Sequence, residues 1–110
     1  MVIRNQTRRL TISNNAKYAQ SFFDRLFGLL NPRNPRYLIF HTRFGLHTLF
    51  LKMPIDVILL DDDDRVVKLK NNLSPNRLFL YSPRYSTVIE MPKSSIRRYR
   101  IHLNDKISIE

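Results

Sequence analysis

Residues Gly45 to Val67 read GLHTLFLKMPIDVILLDDDDRVV, and this stretch decides the fold. It contains two apolar runs, Thr48–Leu51 and Ile55–Leu60, and the second runs into four consecutive aspartates. Short runs rich in β-branched or aromatic residues and bounded by turn formers are typical of strands. Because Asp tolerates left-handed backbone geometry, Asp61 to Asp64 is predicted to turn a hairpin between Ile55–Leu60 and Arg65–Leu69.

The same strand signals recur on both sides of this stretch. Further strands are predicted at Tyr37–His41, Leu78–Tyr81, Ser86–Met91 and Ile107–Ile109, and Met1 to Ile12 has room for one or two more. Runs so closely spaced leave no room for crossover helices, which indicates an antiparallel meander. The predicted fold class is mainly β (α+β): a compact antiparallel β-sandwich or a partly closed barrel.

Two helical segments are predicted. Apolar residues recur at helical spacing from Ala16 to Leu30, and either of the two asparagines before them can cap this amphipathic N-terminal helix. The prolines of residues 31–36 then end it. A single helical turn is predicted over Ser94 to Arg100, capped by one of its two serines.

Composition limits the class of protein. A chain of 110 residues with 43% hydrophobic content indicates one globular domain, residues 1–110. The absence of Cys excludes disulfides, thiolate nucleophiles and Cys-ligated metals. No apolar run approaches membrane-spanning length and no signal peptide is visible, so a cytoplasmic protein with no membrane contact is expected. The oligomeric state is left open.

Glycine and histidine spacing exclude several cofactors. With only two Gly, the chain cannot carry a GxxxxGKS phosphate loop or a GxGxxG dinucleotide motif, and no His pair has HExxH spacing. A calcium loop counted from Asp61 would need Gly and Glu where Val66 and Asn72 stand. No cofactor and no metal site are therefore predicted.

His47 and Asp56 are the one acid–base pair that the sequence suggests. A carboxylate can fix the tautomer of an imidazole and raise its basicity. The alternative, which we favour, is that Asp56 satisfies buried backbone donors at the bend while His47 ends a strand.

Three segments resemble the bacterial and archaeal domain-of-unknown-function 192 family. They are RLFGLL at Arg25–Leu30, GLHTLFLKMPIDV at Gly45–Val57, and a late pair, EMPK from Glu90 with NDKI from Asn104. The resemblance covers about residues 10 to 110. It implies a sandwich-like, mainly β fold with one N-terminal helix, and it implies no activity.

The chain departs from the family pattern at four positions. Leu51 and Met53 replace residues of similar volume, which preserves packing. Ser94 and Asn104 each replace a usual Gly. Because Asn readily adopts left-handed geometry, the turn at Asn104 is expected to persist.

Three functions follow as hypotheses. The preferred one is non-catalytic binding of a small or polymeric ligand, anionic or saccharide, near the central motif by Arg25, His47, Thr48, Asp56 and Glu90. The second is nucleic-acid binding by a surface that includes Arg97, Arg98 and Arg100, since the formal charge is +10. Charge alone is expected to give weak, non-specific nucleic-acid binding. The third is a small hydrolase or isomerase using His47 and Asp56, so whether the protein is an enzyme stays open.

Overall fold

The protein is described by a computed structural model that covers residues 1–18, 37–41, 46–47, 54–74, 78–79 and 87–110. Within these ranges the elements, in chain order, are β1 (Ile3–Asn5), β2 (Leu10–Ser13), β3 (Lys17–Tyr18), β4 (Leu38–His41), β5 (Leu46–His47), β6 (Ile55–Leu60), β7 (Val66–Leu73), β8 (Leu78–Phe79), β9 (Thr87–Pro92), α1 (Ser95–Arg98) and β10 (Ile107–Ile109). None of the helices in this described part is long and apolar enough to cross a membrane.

The main sheet has five strands in the order β3-β4-β9-β6-β7. Every residue of β6, IDVILL, is buried. A short, continuous apolar run is the pattern of a strand covered on both faces, and β6 also has a hydrogen-bonded neighbour on each side. The second apolar run of the opening stretch, Ile55–Leu60, therefore forms an interior strand of the main sheet.

A second sheet, β10-β1-β2, covers one face of the first. The two sheets share one core, in which Ile3, Ile12 and Ile107 of the smaller sheet join Ile58, Ile89 and Met91 of the larger one. Two sheets packed on one core are the arrangement that a sandwich requires. The prediction of a mainly β fold is confirmed, and the strands of the described residues do not close into a barrel.

The predicted meander is wrong in two respects. Strand β9 lies between β4 and β6, so strands that are distant in sequence are neighbours in space. Strand β3 pairs with β4 in parallel, with Lys17 opposite Leu38. The spacing of strands in the sequence does not predict such pairings. They depend on which apolar strands are buried in the interior of the sheet.

The start of the predicted N-terminal helix is also wrong. Lys17 and Tyr18 form β3, and the Lys17 N–H donates to the Tyr37 carbonyl at 3.0 Å. The Asn15 N–H donates to the Ser13 hydroxyl, which makes a turn instead of a helix cap. Sheet pairing has overridden a weak local helix propensity. The rest of the predicted helix, residues 19–30, lies outside the described residues.

The acidic turn joins β6 and β7 as predicted, and the two strands pair antiparallel. Asp61 Oδ1 accepts hydrogen bonds from the N–H groups of Asp63 and Arg65 at 2.9 and 3.0 Å. Asp64 has left-handed geometry, with φ of 60°. The Asp61 side chain thus stabilises the turn in which it lies. The described residues contain no group of three or more His, Cys, Asp or Glu side chains placed to hold a metal.

Candidate functional site

Helix α1 confirms the helical turn predicted over Ser94 to Arg100, but no serine side chain caps it. Ser94 stands at the cap position in left-handed geometry, with φ of 74°, and its side chain makes no capping bond. The N–H of Ile96 donates instead to Asp56 Oδ2 of β6, at 2.9 Å. A carboxylate from β6 therefore satisfies one N–H in the first turn of α1.

The other oxygen of Asp56 holds strand β7. Its Oδ1 accepts a hydrogen bond from the N–H of Asn72 at 2.9 Å, beside a break in the β6–β7 register. Asn72 has left-handed geometry there, with φ of 55°. The Asp56 side chain is 1% exposed. The interpretation that Asp56 satisfies backbone donors is confirmed, but the donors that the structure gives are on β7 and α1, and of the two only the Ile96 N–H is buried.

An open groove of about 450 Å³ lies between β7 and the segment that follows β9. Its lining consists of Asn71, Ile96, Arg97, Arg100, Ile101 and His102. We call this the basic groove. Ile96 and Ile101 are almost fully buried and form its apolar floor, while Arg97 and Arg100 are exposed.

The two arginines of the basic groove have no acidic residue beside them in the groove lining, as far as the described residues show. Within the part of the chain that the structure describes, neither Arg97 nor Arg100 has an ion-pair partner. Arg100 also has a φ of 52°, a geometry that is uncommon for a residue with a side chain. The groove is thus a site of uncompensated positive charge above an apolar floor.

His102 completes one side of the basic groove. Its Nδ1 lies 2.7 Å from the Arg100 carbonyl oxygen. A carbonyl can only accept, so Nδ1 must carry the hydrogen, and in the neutral ring Nε2 is left as an acceptor. The bond orients the imidazole relative to Arg100.

Asp105 anchors the same segment to the small sheet. Its Oδ2 accepts hydrogen bonds from Asn5 Nδ2 at 2.9 Å, the His102 N–H at 3.0 Å and Arg8 Nε at 3.4 Å. Burial raises the pKa of this carboxyl, but these bonds together with the Arg8 charge hold its pKa below the ordinary value. Asn104 has a φ of 71°, so the predicted turn persists without Gly.

A second set of contacts holds α1 on its other side. Ser95 Oγ donates to the Pro92 carbonyl at 2.5 Å. Burial raises the pKa of the Tyr37 phenol, a hydrogen bond with Ser95 opposes that shift, and one with Tyr99 adds to it. Arg98 does not line the basic groove, and its guanidinium lies 5.5 Å from the centre of the Tyr99 ring.

The structure does not bring together the two predicted ligand-binding residues that it fully describes. Asp56 is opposite Met91 and Glu90 is opposite Val57 in the β6–β9 pairing, so the two carboxylates point to opposite faces of the sheet. Both are buried. Arg25 and Thr48 lie outside the described residues, and for His47 the structure gives only its pairing with Leu78 in β5.

Of the predicted arginines, Arg97 and Arg100 do meet in the basic groove. Sequence reasoning missed Asn71 and His102. His102 lies three residues before Asp105 of the recognised late motif, which was a usable signal. Nothing in the sequence connects Asn71 with residue 97.

The fold and the sequence together place the chain among small, uncharacterised β proteins. It belongs to the DUF192 family, described as "Uncharacterized ACR, COG1430", whose family model matches residues 2–109. The resemblance noted from the sequence is confirmed.

Named relatives are similar over nearly their whole length. The UPF0127 protein PH1112 of Pyrococcus horikoshii is 33% identical over an alignment of 113 positions that covers 96% of this chain and 96% of its own. The UPF0127 protein PF1050 of Pyrococcus furiosus is 32% identical over 94% of this chain and 93% of its own. A crystal structure of a protein of unknown function from Novosphingobium aromaticivorans superposes with a TM-score of 0.75, covering 98% of this chain and 82% of that one. At 16% identity, that likeness shows a shared fold alone.

Proposed function

We propose that this protein is a non-catalytic binding domain that takes a small anionic ligand in the basic groove. The observation that carries the proposal is the pair Arg97 and Arg100, exposed beside an open cavity and without an ion-pair partner in the described part of the chain. Arginine pairs bidentately with phosphate and carboxylate. Two guanidinium groups without an ion-pair partner among the described residues are therefore suited to bind a phosphate or a carboxylate.

The shape of the groove indicates a small ligand that also has an apolar part. Its volume of about 450 Å³ is within the range of small-molecule sites. Ile96 and Ile101 offer the ligand an apolar floor, and Asn71 and His102 offer polar side chains at its edge. The net charge of +10 would raise the local concentration of any anion.

The proposed ligand site differs from the site near the central motif that the sequence predicts. Both oxygens of Asp56 already accept main-chain hydrogen bonds, so its carboxylate is not held for a ligand or for the His47 imidazole. The arrangement therefore lends no support to acid–base chemistry by that pair. Contributions from Arg25, His47 and Thr48 stay predictions.

Nucleic-acid binding is the second candidate function. Arg98 packs on the Tyr99 ring next to the two groove arginines, and cations beside aromatic rings suit backbone and base-stacking contacts. Nucleic-acid binding would need cations that continue from the groove along one surface. Lys68 and Lys70 of β7 do not provide such a track, because they lie opposite Leu59 and Val57, on the sheet face that does not carry the main core. The small ligand accounts better for a groove of limited size.

Calorimetric titration with phenyl phosphate tests the proposal, because this probe joins a phosphate to an apolar ring. We expect saturable binding by the wild type and a loss of at least about ten-fold in affinity for the double variant Arg97→Ala/Arg100→Ala, since a charge-assisted hydrogen bond contributes about 1.5 kcal/mol or more. The control is Arg4→Ala/Lys17→Ala, which removes the same charge from exposed positions on β1 and β3. Equal losses in the two double variants would contradict a defined site.

A further inference from the structure

We infer that Asp56 is the positioning residue of the basic groove; this inference rests on the proposed function and adds a residue that does not line the groove. Its two carboxylate oxygens hold two different walls. One accepts the N–H of Asn72, which directly follows the lining residue Asn71. The other accepts the N–H of Ile96, which lines the groove just before Arg97.

The Asp56 side chain is well placed to fix the distance between these walls. It lies on β6, which is hydrogen-bonded to strands on both sides, and it is 1% exposed. Its bond with the Ile96 N–H is buried, so water does not compete for that bond. Strand β7 is an edge strand of the main sheet, and α1 is a single turn of four residues. Both are elements that need an external tie to hold one geometry.

A second hydrogen bond allows a positioning role of Asp56 to be distinguished from a role in folding. Ser95 Oγ donates to the Pro92 carbonyl, which holds α1 to β9 independently of Asp56. Loss of one Asp56 bond should therefore leave α1 attached to the sheet while freeing the start of the helix relative to β7. The guanidinium of Arg97 would then lose its fixed position over the groove.

The variant Asp56→Asn tests this directly, because it keeps one carbonyl oxygen and places an NH₂ group where the second oxygen was. An NH₂ group cannot accept a hydrogen bond, so one of the two main-chain amides loses its partner. We would measure hydrogen exchange at Asn72 and Ile96. We would also measure the affinity for phenyl phosphate in the wild type, in Asp56→Asn, in Arg97→Ala and in Asp56→Asn/Arg97→Ala. Ile3→Val is the control for a conservative core change at a residue that does not line the groove.

The expected result is faster exchange at one of the two amides and about ten-fold weaker binding by Asp56→Asn, with little further loss when Arg97 is already Ala. Ile3→Val should bind as the wild type does. Unchanged affinity in Asp56→Asn, or the same ten-fold loss in both Arg97 backgrounds, overturns the inference, because Asp56 would then not act through Arg97.

One measurement needs no variant at Asp56. Saturating phenyl phosphate should slow exchange at Asn72 and Ile96 of the wild type more than at Ile3, since a ligand that binds the intact groove must stabilise the hydrogen bonds that hold its two walls. Equal slowing at all three overturns the inference. A wild type that binds no phenyl phosphate overturns the proposed function itself, and with it the groove that Asp56 would position.

Discussion

The Asp56 carboxylate and the main-chain N–H of Ile96, forty residues apart in sequence, form a 2.9 Å hydrogen bond in the interior of the protein. The same carboxylate accepts the N–H of Asn72, sixteen residues away. One side chain on β6 thus joins β7, the strand that follows it, to a helix near residue 96.

Asp56→Ala is expected to lower the free energy of unfolding by about 1–3 kcal/mol, because the buried N–H of Ile96 and the part-buried N–H of Asn72 lose their acceptor. Urea denaturation of the variant and the wild type measures this difference. Asp62→Ala, in the exposed acidic turn, removes the same charge and should have little effect. Equal stability of Asp56→Ala and the wild type would show that the two hydrogen bonds contribute nothing to folding.

Calcium is expected to leave the melting temperature unchanged. The Asp61 carboxylate already accepts two main-chain hydrogen bonds within the acidic turn, and a ligand that binds only the native state must stabilise it. Thermal denaturation with and without millimolar calcium, and with magnesium as the control, measures this. A saturable rise that is specific for calcium would mean that the turn binds the ion.

Asp105 is expected to make stability depend on pH in the acid range. Its pKa is lower in the folded protein than the ordinary value near 3.9 of an unfolded chain. The ionised form therefore favours folding above about pH 3.9, and this contribution is lost as the pH falls through the lower folded pKa. Asp105→Asn should be less stable than the wild type at pH 6, and the difference should shrink toward pH 2. A difference that is constant with pH would rule out this linkage.

Nucleic-acid affinity is expected to be weak, independent of sequence and lost near physiological salt. Charge alone releases counterions and gives a steep dependence on salt, so the slope must be compared between variants. Replacing Arg97, Arg98 and Arg100 together by Ala should change that slope little if the basic surface is diffuse. Tight binding that persists at physiological salt and that this triple variant abolishes would make nucleic-acid binding the leading function.

Local signals in the sequence were sufficient for several elements. Ile55–Leu60 and Ile107–Ile109 were predicted residue for residue, because each is an apolar run between clear turn formers. The turn at Asn104 was predicted from its tolerance of left-handed geometry, and the structure gives it a φ of 71°.

Non-local contacts account for what the sequence could not predict. The strand at Lys17 exists because it pairs with Leu38 across a long separation. Asp56 ties Asn72 to Ile96 beside the basic groove, and no residue spacing encodes that pair of bonds. Asp56 was recognised as important, but its role depends on which donors lie within 3 Å in the folded chain.

The most direct test of the central claim is a titration of ¹⁵N-labelled protein with phenyl phosphate, followed by amide chemical shifts. Anion binding in the basic groove predicts that the largest, saturable shifts fall at Asn71, at Ile96 and Arg97, and at residues 100–102, while amides of β1 and β10 stay unchanged. Shifts centred on residues 46–48 would place the ligand at the central motif instead. Small shifts spread over all exposed cations, without saturation, would contradict a defined anion site in this protein.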